Sequence, residues 1–196
     1  MVLAQDFLDT MAWAVAISGF LLALAAITLR YKPSASSIEE KDEHLRRGFA
    51  AAIAACGFYL LLSGLAISFT WPFAISSGVY NVLFGGIATL GGLVLIAGAI
   101  VLFFNANPRP ISYFATLVGL YGVVDAYAIL TYGLTSSPLL SALGYLSFVA
   151  PAVLSVPAAH FENKLWKRLF IVFLILFAVA WLYQAANFTF GHLNPS

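Results

Sequence analysis

The sequence predicts an all-α membrane protein, a bundle of six transmembrane helices with both termini on the outer face. Three observations carry that prediction. The 196-residue chain is 62% hydrophobic and 9% charged, whereas a soluble domain averages about 45–50% apolar and 25% charged residues. A core of this size cannot hide so much apolar surface, so lipid must cover part of it. Six runs reach the roughly 20 apolar residues that a spanning helix needs, and every basic residue falls on one side of them.

The spans cover residues 7–29, 47–69, 79–104, 111–134, 139–159 and 165–186, in a single transmembrane domain. The first follows Asp6, with no Lys or Arg among the first ten residues; that is the opposite of a signal peptide's basic start. The connection 31–46 is long and charged. There Ser37 and Glu40 have capping-box spacing. Asp42–Arg46 and Glu43–Arg47 stand at i,i+4 in the favourable order. The second helix is therefore expected to start in water and enter the membrane as one rod. Trp71-Pro72 ends it, because proline removes a backbone donor and disfavours helix in the residue before it.

The third helix is dense in small residues, among them Gly85, Gly86, Thr89, Gly91, Gly92, Gly98 and Ala99. Gly85, Gly92 and Ala99 fall seven apart, as do Gly91 and Gly98. In lipid such residues let helix backbones approach closely, so this helix is expected at the bundle centre. It is also the expected contact for a homo-oligomer or a larger membrane complex; a substrate path along a Gly-lined face is the alternative. Asn105, Asn107, Pro108 and Pro110 break the chain before the fourth helix, and Ser136, Ser137 and Pro138 before the fifth. Pro151 and Pro157 should kink the fifth, and kinked membrane helices often border cavities.

Orientation follows from charge. Arg30, Lys32, Lys41, Arg46 and Arg47 flank the first connection, Arg109 the third, and Lys164, Lys167 and Arg168 the fifth. All nine basic residues thus share one side, which the positive-inside rule makes cytoplasmic in the cell membrane. Tyr31 and Trp166 fit the inner interface, and Trp71, Tyr80, Tyr132 and Trp181 the outer one. A net charge of +1 suggests no nucleic-acid partner. The single cysteine, Cys56, lies in an apolar run, forms no intramolecular disulfide and reads as a small hydrophobe.

Among the eight acidic residues, only Asp125 cannot be assigned to a loop or helix end. It lies in the outer half of the fourth helix, with no Lys or Arg in the membrane to pair with it. A charge at such depth is costly and marks function by default, so Asp125 is expected neutral or solvated by hydroxyls and water. At matching depth stand Ser18, Ser63, Thr89 and Ser147, a candidate polar layer for an ion or proton. Tyr121 and Tyr132 lie near Asp125 on its own helix. A protonated carboxyl that only fixes packing is the competing reading. His44 and His160, at the cytoplasmic rim, are weak candidates for a haem or metal; no His-x-x-His, paired carboxylates or Cys ligands accompany them, and no cofactor is expected. His192 lies in the outer tail. Asn187-Phe188-Thr189 matches a glycosylation acceptor at the membrane end of the last helix. Nucleophile elbows, P-loops, HExxH and dinucleotide fingerprints are absent, and an enzyme is the less favoured class.

Residues 63–86 read SGLAISFTWPFAISSGVYNVLFGG. The pattern Ser-Gly-Leu…Phe-Thr-Trp-Pro…Tyr-Asn-Val-Leu-Phe-Gly resembles DUF981, a family of small archaeal and bacterial membrane proteins of unknown function. The resemblance implies no catalytic residue. It singles out Trp71, Pro72, Tyr80, Asn81 and Gly85 as a distinctive cluster, read physically as a tight outer hairpin. In that reading Trp71 anchors at the interface, Pro72 stops the helix and Asn81 bonds the first turn of the third helix; the alternative is an outer mouth leading toward Asp125. Where the family pattern often has an acidic residue after Phe-Gly, this chain has Gly86, so a role for that carboxylate is missing here. Three function classes stand: a small transporter or channel using Asp125, a structural or accessory subunit, and a haem or redox protein. The bundle interior should separate them. A wet cavity at Asp125 favours transport, a dry core with an exposed small-residue face favours a subunit, and a chromophore favours redox work.

Overall fold

Each apolar run forms one helix. The computed structural model describes residues 3–29, 40–73 and 78–193, the side chains of 3–7, 40–42 and 192 excepted. Its elements are α1 (Leu3–Thr28), α2 (Glu40–Thr70), α3 (Val79–Phe103), α4 (Arg109–Tyr132), α5 (Pro138–His160) and α6 (Lys164–Leu193). No strand occurs among the described residues. All six helices are long and apolar enough to cross a membrane. The expected anchor Tyr31, the Ser37–Glu40 capping box, Arg30, Lys32 and the side chains of Lys41 and Asp42 lie outside the described residues.

Helix ends follow local chemistry. α2 has 31 residues, about 46 Å at 1.5 Å per residue, so it outruns a hydrocarbon core of about 30 Å. Its extra turns are the charged ones, tied by the Arg47–Glu43 ion pair. α6 likewise runs on to Leu193, past the expected end at 186. Trp71 takes a left-handed conformation, φ 49°, immediately before Pro72 and so stops α2. Asn105 does the same after α3 with φ 51°, and Gly133 caps α4 with φ 60°, its N–H on the Ile129 carbonyl.

The helices stand in a closed ring. Each packs against its neighbours in the chain, and α6 returns to pack on α1; among the described residues the only further pair whose backbones come close is a slight approach of α1 to α3. Neighbours run antiparallel, as paired bonds along two seams show: Thr116 Oγ1 donates to the Ala152 carbonyl (2.9 Å) and Ser155 Oγ to that of Ser112 (3.2 Å), while Gln184 Nε2 donates to the Leu140 carbonyl (2.9 Å) and Trp181 Nε1 to that of Gly144 (3.1 Å). Thus Arg46, Arg47, Arg109 and Lys164 share one end of the ring, hereafter the basic end.

The tightest seam is α2 against α3. A Cβ placed on Gly64 would lie 2.5 Å from the Thr89 backbone nitrogen, and one on Gly92 2.5 Å from that of Leu61. Gly85 and Ala99 are buried along the same face. The small residues of α3 therefore serve a pairwise seam. The expectation of a central α3 is corrected: all six helices share the perimeter, and none of them fills the axis. At the basic end Arg46 Nη1 donates to the carbonyls of Leu102 (2.8 Å) and Phe103 (2.9 Å), satisfying the last turn of α3. Arg47 lies over the Phe103 ring at 5.4 Å.

Candidate functional site: an axial cavity with a buried carboxyl beside it

A ring with no axial helix leaves a lumen. The cavity has a volume of about 830 Å³ and is lined from all six helices. Leu22, Gly91, Gly98, Phe148 and Leu174 form part of its shaft. A Cβ added at Gly91 or Gly98 would meet nothing within 4 Å, so the missing side chains widen the lumen. Three serines reach the wall, and each hydroxyl already donates to a backbone carbonyl: Ser18 to Val15 (2.8 Å), Ser112 to Arg109 (2.7 Å) and Ser155 to Ala152 (2.6 Å). The shaft therefore offers hydrocarbon and little else.

Polarity is concentrated at the basic end, where Asn105, Asn107, Arg109, His160, Glu162 and Lys167 line the mouth. His160 is held on both nitrogens. Its Nδ1 lies 3.0 Å from the Val156 carbonyl, which only an N–H can satisfy, so Nε2 accepts from the Tyr113 hydroxyl at 2.8 Å. That use of both nitrogens leaves no free lone pair for a metal in this arrangement. Among the described residues no three His, Cys, Asp or Glu gather as a metal set.

The half away from the basic end is cross-linked. Tyr145, on α5, donates to the Leu83 carbonyl of α3 (3.1 Å), and Trp181 Nε1 to the Gly144 carbonyl (3.1 Å). Trp13 Nε1 donates to Thr189 Oγ1 (3.0 Å), so the threonine of the glycosylation pattern helps close α1 on α6. Thr10 bonds Tyr59, and Tyr80 donates to the Leu134 carbonyl. Leu83, Ala126, Ile129, Ala142 and Tyr145 pack into a small core here.

Asp125 sits beside that core, 7% exposed. Its Oδ2 is buried with no hydrogen-bond partner among the described residues. Tyr121 and Tyr145 both lie within electrostatic reach of it. Asp125 is not part of the cavity wall, whereas Tyr145 is. The other hydroxyls of the expected layer bond within their own helices: Thr89 to the Gly85 carbonyl (2.8 Å) and Ser147 to that of Gly144 (2.6 Å), as Ser18 does on α1. Ser63 is buried on α2. Tyr132 is 74% exposed at the end of α4, apart from the buried carboxyl. Tyr121 instead points its hydroxyl at Gly86, whose absent side chain leaves the space.

The hairpin cluster is joined through Phe73. Asn81, 1% exposed, accepts from the Phe73 N–H at 3.1 Å and donates to its carbonyl at 3.3 Å. Tyr80, Phe84 and Phe73 stack edge and tilted around it, with centroids 5.9–6.3 Å apart. Gly85 lets Ser68 and Ile67 approach. Asn81 thus fastens the connection rather than the first turn of α3. Sequence reasoning took Trp181 as an outer-interface anchor and did not single out Tyr145 or Gln184; Trp181 instead lines the cavity and bonds the Gly144 carbonyl, and the need of buried indole, phenol and amide groups for partners was the available signal.

Fold and site together define a multi-pass α-helical membrane protein whose ring surrounds an apolar lumen. The chain belongs to DUF981, a family described as protein of unknown function, whose family model spans residues 1–195. No curated protein and no solved structure matches it.

Proposed function

We propose that this protein is a small carrier that holds a largely apolar molecule in its axial cavity. The observation that supports this most is the lumen itself, about 830 Å³ with hydrocarbon walls and polar groups at one mouth. Ligand pockets of about 300–1,000 Å³ are the usual size for small molecules. A subunit reading has less to stand on, since the α3 glycines face α2, Tyr121 or the lumen. The positive-inside rule would direct the polar mouth to the cytoplasm. Native mass spectrometry of the purified protein tests the proposal. Wild type should retain a small molecule that Gly91→Trp and Gly98→Trp lose while keeping their fold; identical spectra for all three would refute it.

A second reading has its own support, the unpartnered Oδ2 of Asp125. In that reading the carboxyl binds a proton or cation and communicates with the lumen through Tyr145. Infrared titration of the carboxyl, with transport compared in Asp125→Asn, tests it. A stable variant with unchanged transport would reduce Asp125 to packing.

A further inference from the structure

We infer that the basic-end half of the α3–α4 seam is a lateral portal, through which the cavity's apolar ligand passes to and from the bilayer; this rests on the carrier reading above. The other five seams are fastened. Glycines lock α2 on α3, hydrogen bonds tie α4 to α5, α5 to α6 and α1 to α6, and α1 and α2 share a core. The α3–α4 seam is the slightest of the six. Its ties all lie away from the basic end. Tyr80 donates to the Leu134 carbonyl, Leu83 packs with Ala126 and Ile129, and the Tyr121 hydroxyl meets the space at Gly86. On the basic side of Gly86 and Tyr121, no hydrogen bond, ring contact or core cluster joins the two helices among the described residues.

The reason is that each helix turns its packing face elsewhere. α3 presents Gly92 to the Leu61 backbone of α2, and α4 presents Gly119 to Ala152 of α5. Helical spacing then carries the seam from Gly86 to Leu90, Leu93 and Ala97, and from Tyr121 to Leu117 and Phe114. None of these five is polar and none is buried, whereas Gly92, Leu95 and Ala99 on the α2 side of the same helix are buried. Behind them Gly91 and Gly98 of α3 and Ala115 and Val118 of α4 already line the lumen. Parting the seam here breaks no hydrogen bond and replaces apolar side chains with acyl chains of the same chemistry. Tyr80 at one end and the short 104–108 connection at the other keep the helices together, so the middle bows open. The slot from Leu90 to Ala97 is about 10 Å long at 1.5 Å per residue and lies well inside the 25-residue α3. An apolar molecule entering instead by the basic mouth would first have to leave the bilayer for water, against the hydrophobic effect.

Ligand exchange tests this, in nanodiscs and a Cys56→Ser background. The probe is bromododecane, an apolar chain that dissolves in the bilayer. Its replacement by the perdeuterated form is followed by native mass spectrometry, which counts only what the protein retains. A cleavable thiol cross-linker between Ala97→Cys and Phe114→Cys should slow exchange at least tenfold, and reductant should restore it; Leu93→Cys with Leu117→Cys serves if the first pair fails to fold. The same cross-link between Trp13→Cys and Thr189→Cys, across α1 and α6, should leave the rate unchanged. Phe114→Ala should quicken exchange severalfold. Unchanged exchange behind a complete α3–α4 cross-link, equal slowing by the α1–α6 one, or α3–α4 pairs that no cross-linker length bridges would overturn the portal and leave the carrier reading standing. A wild-type protein that retains no bromododecane overturns both.

Discussion

Replacing Gly64 with alanine tests the α2–α3 seam directly. The new Cβ would sit 2.5 Å from the Thr89 nitrogen, 2.6 Å from Thr89 Oγ1 and 2.8 Å from the Gly85 carbonyl oxygen. Ordinary contact begins near 3.4 Å, so the two backbones must part by about 0.9 Å. Two of those neighbours are main-chain atoms, which cannot swing aside as a side-chain tip can. Overpacking of this kind costs about 1–3 kcal/mol, and Gly92→Ala, facing Leu61 in the same way, should cost a similar amount. Gly91→Ala is the control, one residue along and open to the lumen. It should be neutral or slightly stabilising, because alanine is the better helix former by up to about 1 kcal/mol. Thermal unfolding in detergent, followed by tryptophan fluorescence, measures all three. A Gly64→Ala protein as stable as wild type, or a Gly91→Ala protein equally damaged, would refute backbone contact as the basis of the seam.

Other expectations follow from the same geometry. Asn81→Ala removes both partners of the half-buried Phe73 backbone and should cost about 1–3 kcal/mol in all, read by the same unfolding assay. Arg46→Ala frees the Leu102 and Phe103 carbonyls and should cost about 1.5–3 kcal/mol, as for hydrogen bonds to a charged group; unfolding would show it, and an unchanged midpoint would deny the cap. Asp125→Asn should keep the fold and stability within about 1 kcal/mol, since no hydrogen bond of Oδ2 is lost. In a Cys56→Ser background, a membrane-impermeant maleimide on intact cells should label Leu134→Cys and spare Asn107→Cys; the reverse would invert the orientation expected from the basic residues.

Six helices were legible because lipid demands long apolar runs, and proline, asparagine and charge mark their ends. The charged first turns of α2 were legible too, through the order of Glu43 and Arg47. Sevenfold spacing also flagged the Gly85–Gly92–Ala99 face, though not its partner. The ring and its lumen left almost no trace. In a soluble bundle, inward and outward faces differ in polarity; here Leu174 in the lumen and Leu176 facing outward are the same residue type in two apolar settings. Depth counting expected Ser18, Thr89 and Ser147 around Asp125, whereas each hydroxyl bonds a carbonyl of its own helix, as hydroxyls at helix interiors readily do. Tyr145 could be suspected only from its phenol in an apolar run, and its bond to Leu83 crosses to a helix that is not its neighbour.

The closure of α6 on α1 has a consequence for how the protein is made. Helices leave the ribosome in order, and every seam but one joins consecutive segments. The wall between α1 and α6, with Gly19 against Phe177 and Ala178 and Trp13 bonded to Thr189, forms only when α6 is inserted. Until then the lumen lacks the wall that α6 supplies, so a cavity closed on all sides exists only once the last helix is in place.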